Sequence, residues 1–244
     1  MFDDKLRQEI AAFIETDAND IVDLRGHLMQ LIHDVIQQMI DSRNDQLDQR
    51  EDALERFAAI SLEISESIFN NVYNAQPLAA SALVEWQVNL LRTAAAVLFD
   101  DAKFETWTRG GDLTSQDLRL LIRDMHQRRC AVDPTAMLKP APSESLIEDF
   151  ATGQLNFPNI SLDYLYDLGT ALEFDDGLKW HLRNLLVADT TLLSQIALVF
   201  ICYVASHAGT RPSDVEKWMQ VYGAVEGQIL RARSDLTSGG ESVN

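Results

Sequence analysis

The sequence predicts an all-α protein: a multi-helix bundle of about eight to ten helices around a buried apolar helix near residues 190–208. Three observations predict it. Almost every apolar pattern repeats near 3.6 residues, and no convincing alternation of apolar and polar residues marks a strand. Helix-start signals recur, among them Ser145-Leu-Ile-Glu148 and Ser213-Asp-Val-Glu216, which read as capping boxes. The stretch from Leu178 to Gly209 is the most apolar in the chain and becomes apolar nearly all round, the pattern of a helix with neighbours on several sides.

The elements follow in order. The first helix carries Phe2, Leu6, Ile10 and Phe13. The second follows the Asp17-Ala-Asn-Asp20 cap region and sets Ile21, Leu24, Leu28, Leu31 and Val35 in a heptad-like seam. Gly26 inside it is unfavourable in a helix and hints at a close helix approach. Residues 41–53 are polar apart from Leu47 and Ala53 and read as a solvated connection or an exposed bridging helix. A third helix places Leu54, Phe57, Ile60, Ile64, Ile68 and Val72 on its core side. Pro77 opens a fourth, alanine-rich helix running to about Phe99, expected to be buried on more than one side.

Residues 100–113 read as a loop with a glycine pair. A fifth helix with Leu118, Leu121, Ile122 and Met125 ends near Cys130. Pro134, Pro140 and Pro142 then forbid a continuous helix between 131 and 143. A short helix ending at Gly153 and another from Ser161 to about Phe174 follow.

The apolar stretch reads as two helices broken near Asp189, with Asp189 capping the second and Gly209 ending it. A membrane span needs roughly 20 apolar residues. The uninterrupted run here is only Ile196–Ala205, preceded by Asp189, Thr190, Thr191, Ser194 and Gln195, so a core helix is expected. A last helix carries Val215, Trp218, Tyr222, Val225 and Ile229. The expected organisation is an N-terminal helical layer (1–130), a proline-containing connection (131–143), a C-terminal layer (144–236) and a disordered tail (237–244), with one compact domain as the alternative.

Composition narrows the function. A chain of 244 residues can bury a core without disulfides or metals. Its net charge of −18, with no cluster of lysines and arginines, argues against nucleic acid and anionic membrane as partners. Cys130 and Cys202 lie far apart and form no CxxC pair, and the acidic N-terminus lacks the features of a signal peptide. The expected compartment is the cytoplasm. No phosphate-cradling glycine loop, GxSxG elbow or HExxH motif is present, and no histidine has a glutamate three residues before it. No cofactor is expected.

Three features remain. His33 and Asp34 are adjacent and of metal-ligating type, but His27 lies off their helix face. Asp163 and Asp167, one turn apart, could hold a divalent cation on oxygen ligands; no second motif of that kind and no basic set for a diphosphate accompany them. The third is a surface. Residues 144–176 contain eight acids and no lysine or arginine, with Phe150, Phe157, Tyr164, Tyr166 and Phe174 interleaved. Aromatic anchors within a charged rim suit a protein interface, and Asp163, Asp167 and Glu173 would steer a basic partner. Trp218 and Tyr222 form the second expected contact surface, unless that seam packs inside the bundle or joins two copies.

The function expected is thus a cytoplasmic protein-interaction module (adaptor, chaperone-like or regulatory), with a homodimer among the arrangements open to it. The alternative is a helical metal-dependent enzyme acting on a phosphorylated or diphosphate substrate.

Overall fold

In the computed structural model the described residues are 4–42, 48–111, 174–206 and 210–239. They form seven helices and no strand: α1 (Asp4–Thr16), α2 (Asn19–Asp41), α3 (Gln49–Tyr73), α4 (Pro77–Phe99), α5 (Asp101–Thr108), α6 (Asp176–Ala205) and α7 (Pro212–Gly239). The all-α class holds, with fewer helices among the described residues than expected.

The apolar stripes explain the assembly. Leu6, Ile10 and Phe13 of α1 are buried, as is the whole α2 seam of Ile21, Leu24, Leu28, Leu31 and Val35. α3 and α4 form a hairpin across Asn74, Ala75 and Gln76. Ala75 takes φ 54°, a left-handed conformation that strains a residue with a Cβ. Pro77 starts α4, where its missing N–H is no loss.

At the centre lies α6. It packs most extensively on α2, then on α4 and α7, and also on α3. Asp175 caps it, accepting from the Leu178 N–H at 2.8 Å. Among the described residues it is the one helix long and apolar enough to cross a membrane, and 89% of its most apolar window is buried inside the bundle. α7 lies over α6 and α2, burying Trp218, Tyr222, Val225 and Ile229.

Several sequence expectations change. The break at Asp189 is absent: α6 is one helix of 30 residues, with Asp189 buried near its middle. The Asp189 side chain turns to other helices, so it caps nothing. Thr190 and Thr191 donate back to the carbonyls of Leu186 and Val187, both at 2.7 Å, bonds an unbroken helix accommodates. The helix ends at Ala205, not Ala208, with Ser206 at its C-cap. The Ser206 and Thr210 hydroxyls satisfy the Tyr203 and Val204 carbonyls at 2.6 and 2.7 Å.

α3 begins inside the polar stretch, because Asp48 caps it through the Arg50 N–H at 2.9 Å. The stretch after Phe99 holds α5, capped by Asp100 through the Lys103 N–H at 3.0 Å. Gly26 makes no close approach; a Cβ there would meet nothing within 4 Å. Ile60 is exposed and Ser61 takes the buried position, donating to the Phe57 carbonyl. α7 starts at Pro212, so Ser213 falls within its first turn instead of capping it. The proline-containing connection and the helices expected between 114 and 173 lie outside the described residues.

Candidate functional site

Two places among the described residues depart furthest from the rule of apolar inside and polar outside. The first is internal. Asp189 is fully buried and receives three donors: Arg25 Nε at 3.2 Å, Ser65 Oγ at 2.8 Å and Gln87 Nε2 at 2.8 Å. Arg25 also donates to Ser65 Oγ at 2.9 Å and, through Nη2, to Glu66 at 2.7 Å. Its guanidinium lies 5.1 Å from the Phe69 ring centroid. One residue of α6 is thus tied to α2, α3 and α4. Burial pushes the Asp189 carboxyl above the usual carboxylate range; the Arg25 charge and the bonds from Ser65, Gln87 and Arg25 pull the other way. Arg25, Ser65, Gln87 and Asp189 are all buried, and the cluster has the makings of a structural pin that fixes helix register.

The second place is external: the outer face of α4. Trp86 is 69% exposed and Leu78 is 51% exposed, the two highest values among the exposed large apolar side chains described. At 100° per residue, Ala79, Ala82, Leu83, Trp86 and Leu90 lie along one face, with Leu78 on its flank. Ala79 and Ala82 are exposed and Leu83 and Leu90 half-buried. Tyr73, also exposed, is the last residue of α3, before the turn into α4. An exposed tryptophan within an apolar strip is the residue type that dominates binding energy when a partner covers it. No family model, no curated protein and no solved structure matches this chain. The α4 face is therefore judged on its own chemistry.

The residues expected from sequence fall elsewhere. His33 is exposed, while Asp34 is half-buried and accepts from Gln30 at 2.7 Å, one turn back on its own helix. His27 is on the rim of an open cleft of about 610 Å³ with Asp17, Asp20, Asp23, Arg183 and Gln228. There Arg183 forks onto Asp20 at 2.9 and 3.1 Å and donates to the Asp17 carbonyl, which ties α6 to the α1–α2 turn. Among the described residues no three His, Cys, Asp or Glu side chains gather where they could hold a metal.

Trp218 and Tyr222 are 4% and 1% exposed, so α7 turns its seam into the bundle, the alternative weighed for it. The Tyr222 hydroxyl donates to Glu226 at 3.0 Å. Asp163, Tyr164, Tyr166, Asp167 and Glu173 lie outside the described residues.

Neither Arg25 and Asp189 nor Leu78 and Trp86 stood out in the sequence as partners. The signals existed. Arg25 sits beside Leu24 within a buried stripe, and Asp189 interrupts an apolar helix. α4 carries apolar residues on more sides than its packing uses, with only Glu85 and Arg92 charged.

Proposed function

We propose that the protein is a protein-interaction module, a helical scaffold whose work is done by surfaces it presents to other polypeptides. The observation that carries this reading is the outer face of α4, where Trp86 and Leu78 stand exposed on a helix the core already uses on its other side. Monomeric proteins rarely leave a contiguous apolar strip of this kind without use. The acidic, aromatic-rich segment 144–176 supplies the second part: Asp163, Asp167 and Glu173 steer a basic partner, and Tyr164 and Tyr166 anchor it. The two widely separated cysteines support a reducing compartment, the cytoplasm.

The test is a photo-cross-linking amino acid placed at position 86 in the full chain, expressed in its host. A covalent adduct with a polypeptide, lost when Leu78 is also changed to Glu, is the expected result. Absence of any adduct sinks the α4 reading. Charge reversal at Asp163, Asp167 and Glu173 tests the acidic segment separately; capture of the same partners at the same yield removes it from the proposal. No specific observation favours the enzyme alternative.

A further inference from the structure

We infer that Gln87 is a positioning residue: its buried bond to Asp189 sets the rotation of α4 that leaves Trp86 outside. The inference rests on the reading of α4 as a contact face and adds what holds that face open.

The apolar pattern of α4 allows more than one rotation. Successive residues of a helix step by about 100°, so Trp86 and Val88 flank Gln87 on opposite sides. Ala79, Leu83 and Leu90 lie on the Trp86 side, Val84 and Leu91 on the Val88 side. Leu83, Val88 and Leu90 are half-buried against the core, and Val84 and Leu91 are buried. Apolar residues thus cover an arc of about 200° centred on Gln87. A turn towards the Trp86 side would bury the indole, an apolar gain. Glu85 and Asn89, both exposed, lie across the helix from Gln87 and keep to solvent in either rotation. Further along, Ala94, Ala95 and Ala96 are all buried, and three like side chains in a row give a rotation little to catch on.

One buried bond discriminates. Gln87 Nε2 donates to Asp189 Oδ1 at 2.8 Å, whereas Arg25 and Ser65 both donate to Oδ2, at 3.2 and 2.8 Å. Among the described residues Gln87 is therefore the donor to Oδ1. Gln87 and Asp189 are both wholly buried. Arg25 of α2 and Ser65 of α3 hold the carboxylate in place, so it cannot follow Gln87 if α4 turns. Leaving a buried acceptor without its donor is costly. The bond opposes the burial of Trp86.

Hydroxyl-radical footprinting of the purified full chain, read residue by residue by mass spectrometry, tests this without any partner. Gln87→Met keeps an unbranched side chain of similar length and removes the donor. Losing one bond to a charged acceptor shifts the balance between rotations by roughly tenfold or more. Trp86 oxidation is expected to fall several-fold and that of Val88 to rise, with the circular dichroism spectrum retained. Unchanged Trp86 oxidation in the folded variant overturns the inference. Gln87→Asn, whose amide stops one methylene short, is a second variant that should move the same two residues in the same directions. If both variants simply unfold, the bond is a stabiliser only and the inference is overturned.

The contact reading stands or falls separately. Footprints that shift as expected, with no adduct from a cross-linker at position 86, keep Gln87 as the residue that orients α4 and sink the contact face. Adducts at position 86 with unshifted footprints do the reverse. Where both hold, Gln87→Met also weakens the adduct.

Discussion

Asp189 and Arg25 show how much one buried pair decides. Each would be costly to bury alone; together, Asp189 accepts from Arg25, Ser65 and Gln87, and Arg25 also donates to Ser65. Asp189→Ala leaves the buried Arg25 guanidinium with Ser65 and the half-exposed Glu66; we expect a loss on the order of 3 kcal/mol in denaturant unfolding. Replacing both, as Arg25→Leu with Asp189→Leu, should cost clearly less than the two single changes summed. A double variant as damaged as that sum would mean the pair is not coupled.

His181 gives a pH prediction. It is buried, and burial lowers its pKa from 6.5 to about 4. The unfolded chain therefore binds a proton that the native state refuses. The stability this contributes is complete above the unfolded value and is lost as pH falls from about 6.5 towards 4, by roughly 3 kcal/mol at most. His181→Gln should flatten that part of the stability–pH curve, followed by urea titration at each pH. None of this was legible beforehand. Composition shows that Arg25, Asp189 and His181 are polar, but not that three other helices converge on one of them.

At the scale of elements, the sequence was most legible where the period was strongest. The α2 seam, the Pro77 start and the helical character of 178–205 all stand. It was least legible at ends. Aspartates at 48, 100 and 175 cap three helices, yet in a chain this acidic they look like solvated charges. The same ambiguity produced the false break at Asp189, whose residue type suits a cap but whose partners come from distant helices. For α5, a helix of eight residues held to α3 by the Phe57–Trp107 contact at 5.5 Å, the cap counts heavily. Asp100→Ala should cost about 1 kcal/mol and raise amide exchange across 101–108 selectively. Unchanged exchange there would show that packing alone holds the helix.

The α4 face teaches a different lesson. Alanine content suggested burial on several sides, and Ala80, Ala94, Ala95 and Ala96 are indeed buried. Ala79 and Ala82 are not. Composition of a helix does not say which of its small residues meet a neighbour within the same chain and which are left outside.

For the whole molecule, charge is the dominant global term. With 38 acids against 20 bases, the native state repels itself, and i,i+4 pairs such as Arg56–Asp52 offset little of it. Added monovalent salt, by shortening the screening length, should raise the thermal midpoint measured by calorimetry. A midpoint that falls with salt would show that specific ion pairs outweigh net repulsion. The all-α class was legible in the apolar period; the way the helices wrap α6 was not, because that depends on long-range partners.

The position of α6 along the chain has a consequence for synthesis. The Arg25–Asp189 bond closes a separation of 164 residues. The faces of α2, α3 and α4 that finally receive α6 are complete by Phe99, but the helix that covers them ends at Ala205. At ribosomal speeds that interval is roughly 5–20 s, during which the nascent N-terminal helices show the apolar faces meant for α6 and Arg25 lacks its Asp189 partner. Contacts this distant form late, so weakening them should accelerate unfolding more than it slows folding. We expect a newborn chain of this protein to be held by ribosome-bound chaperones, and stalling between residues 100 and 205 should prolong that hold.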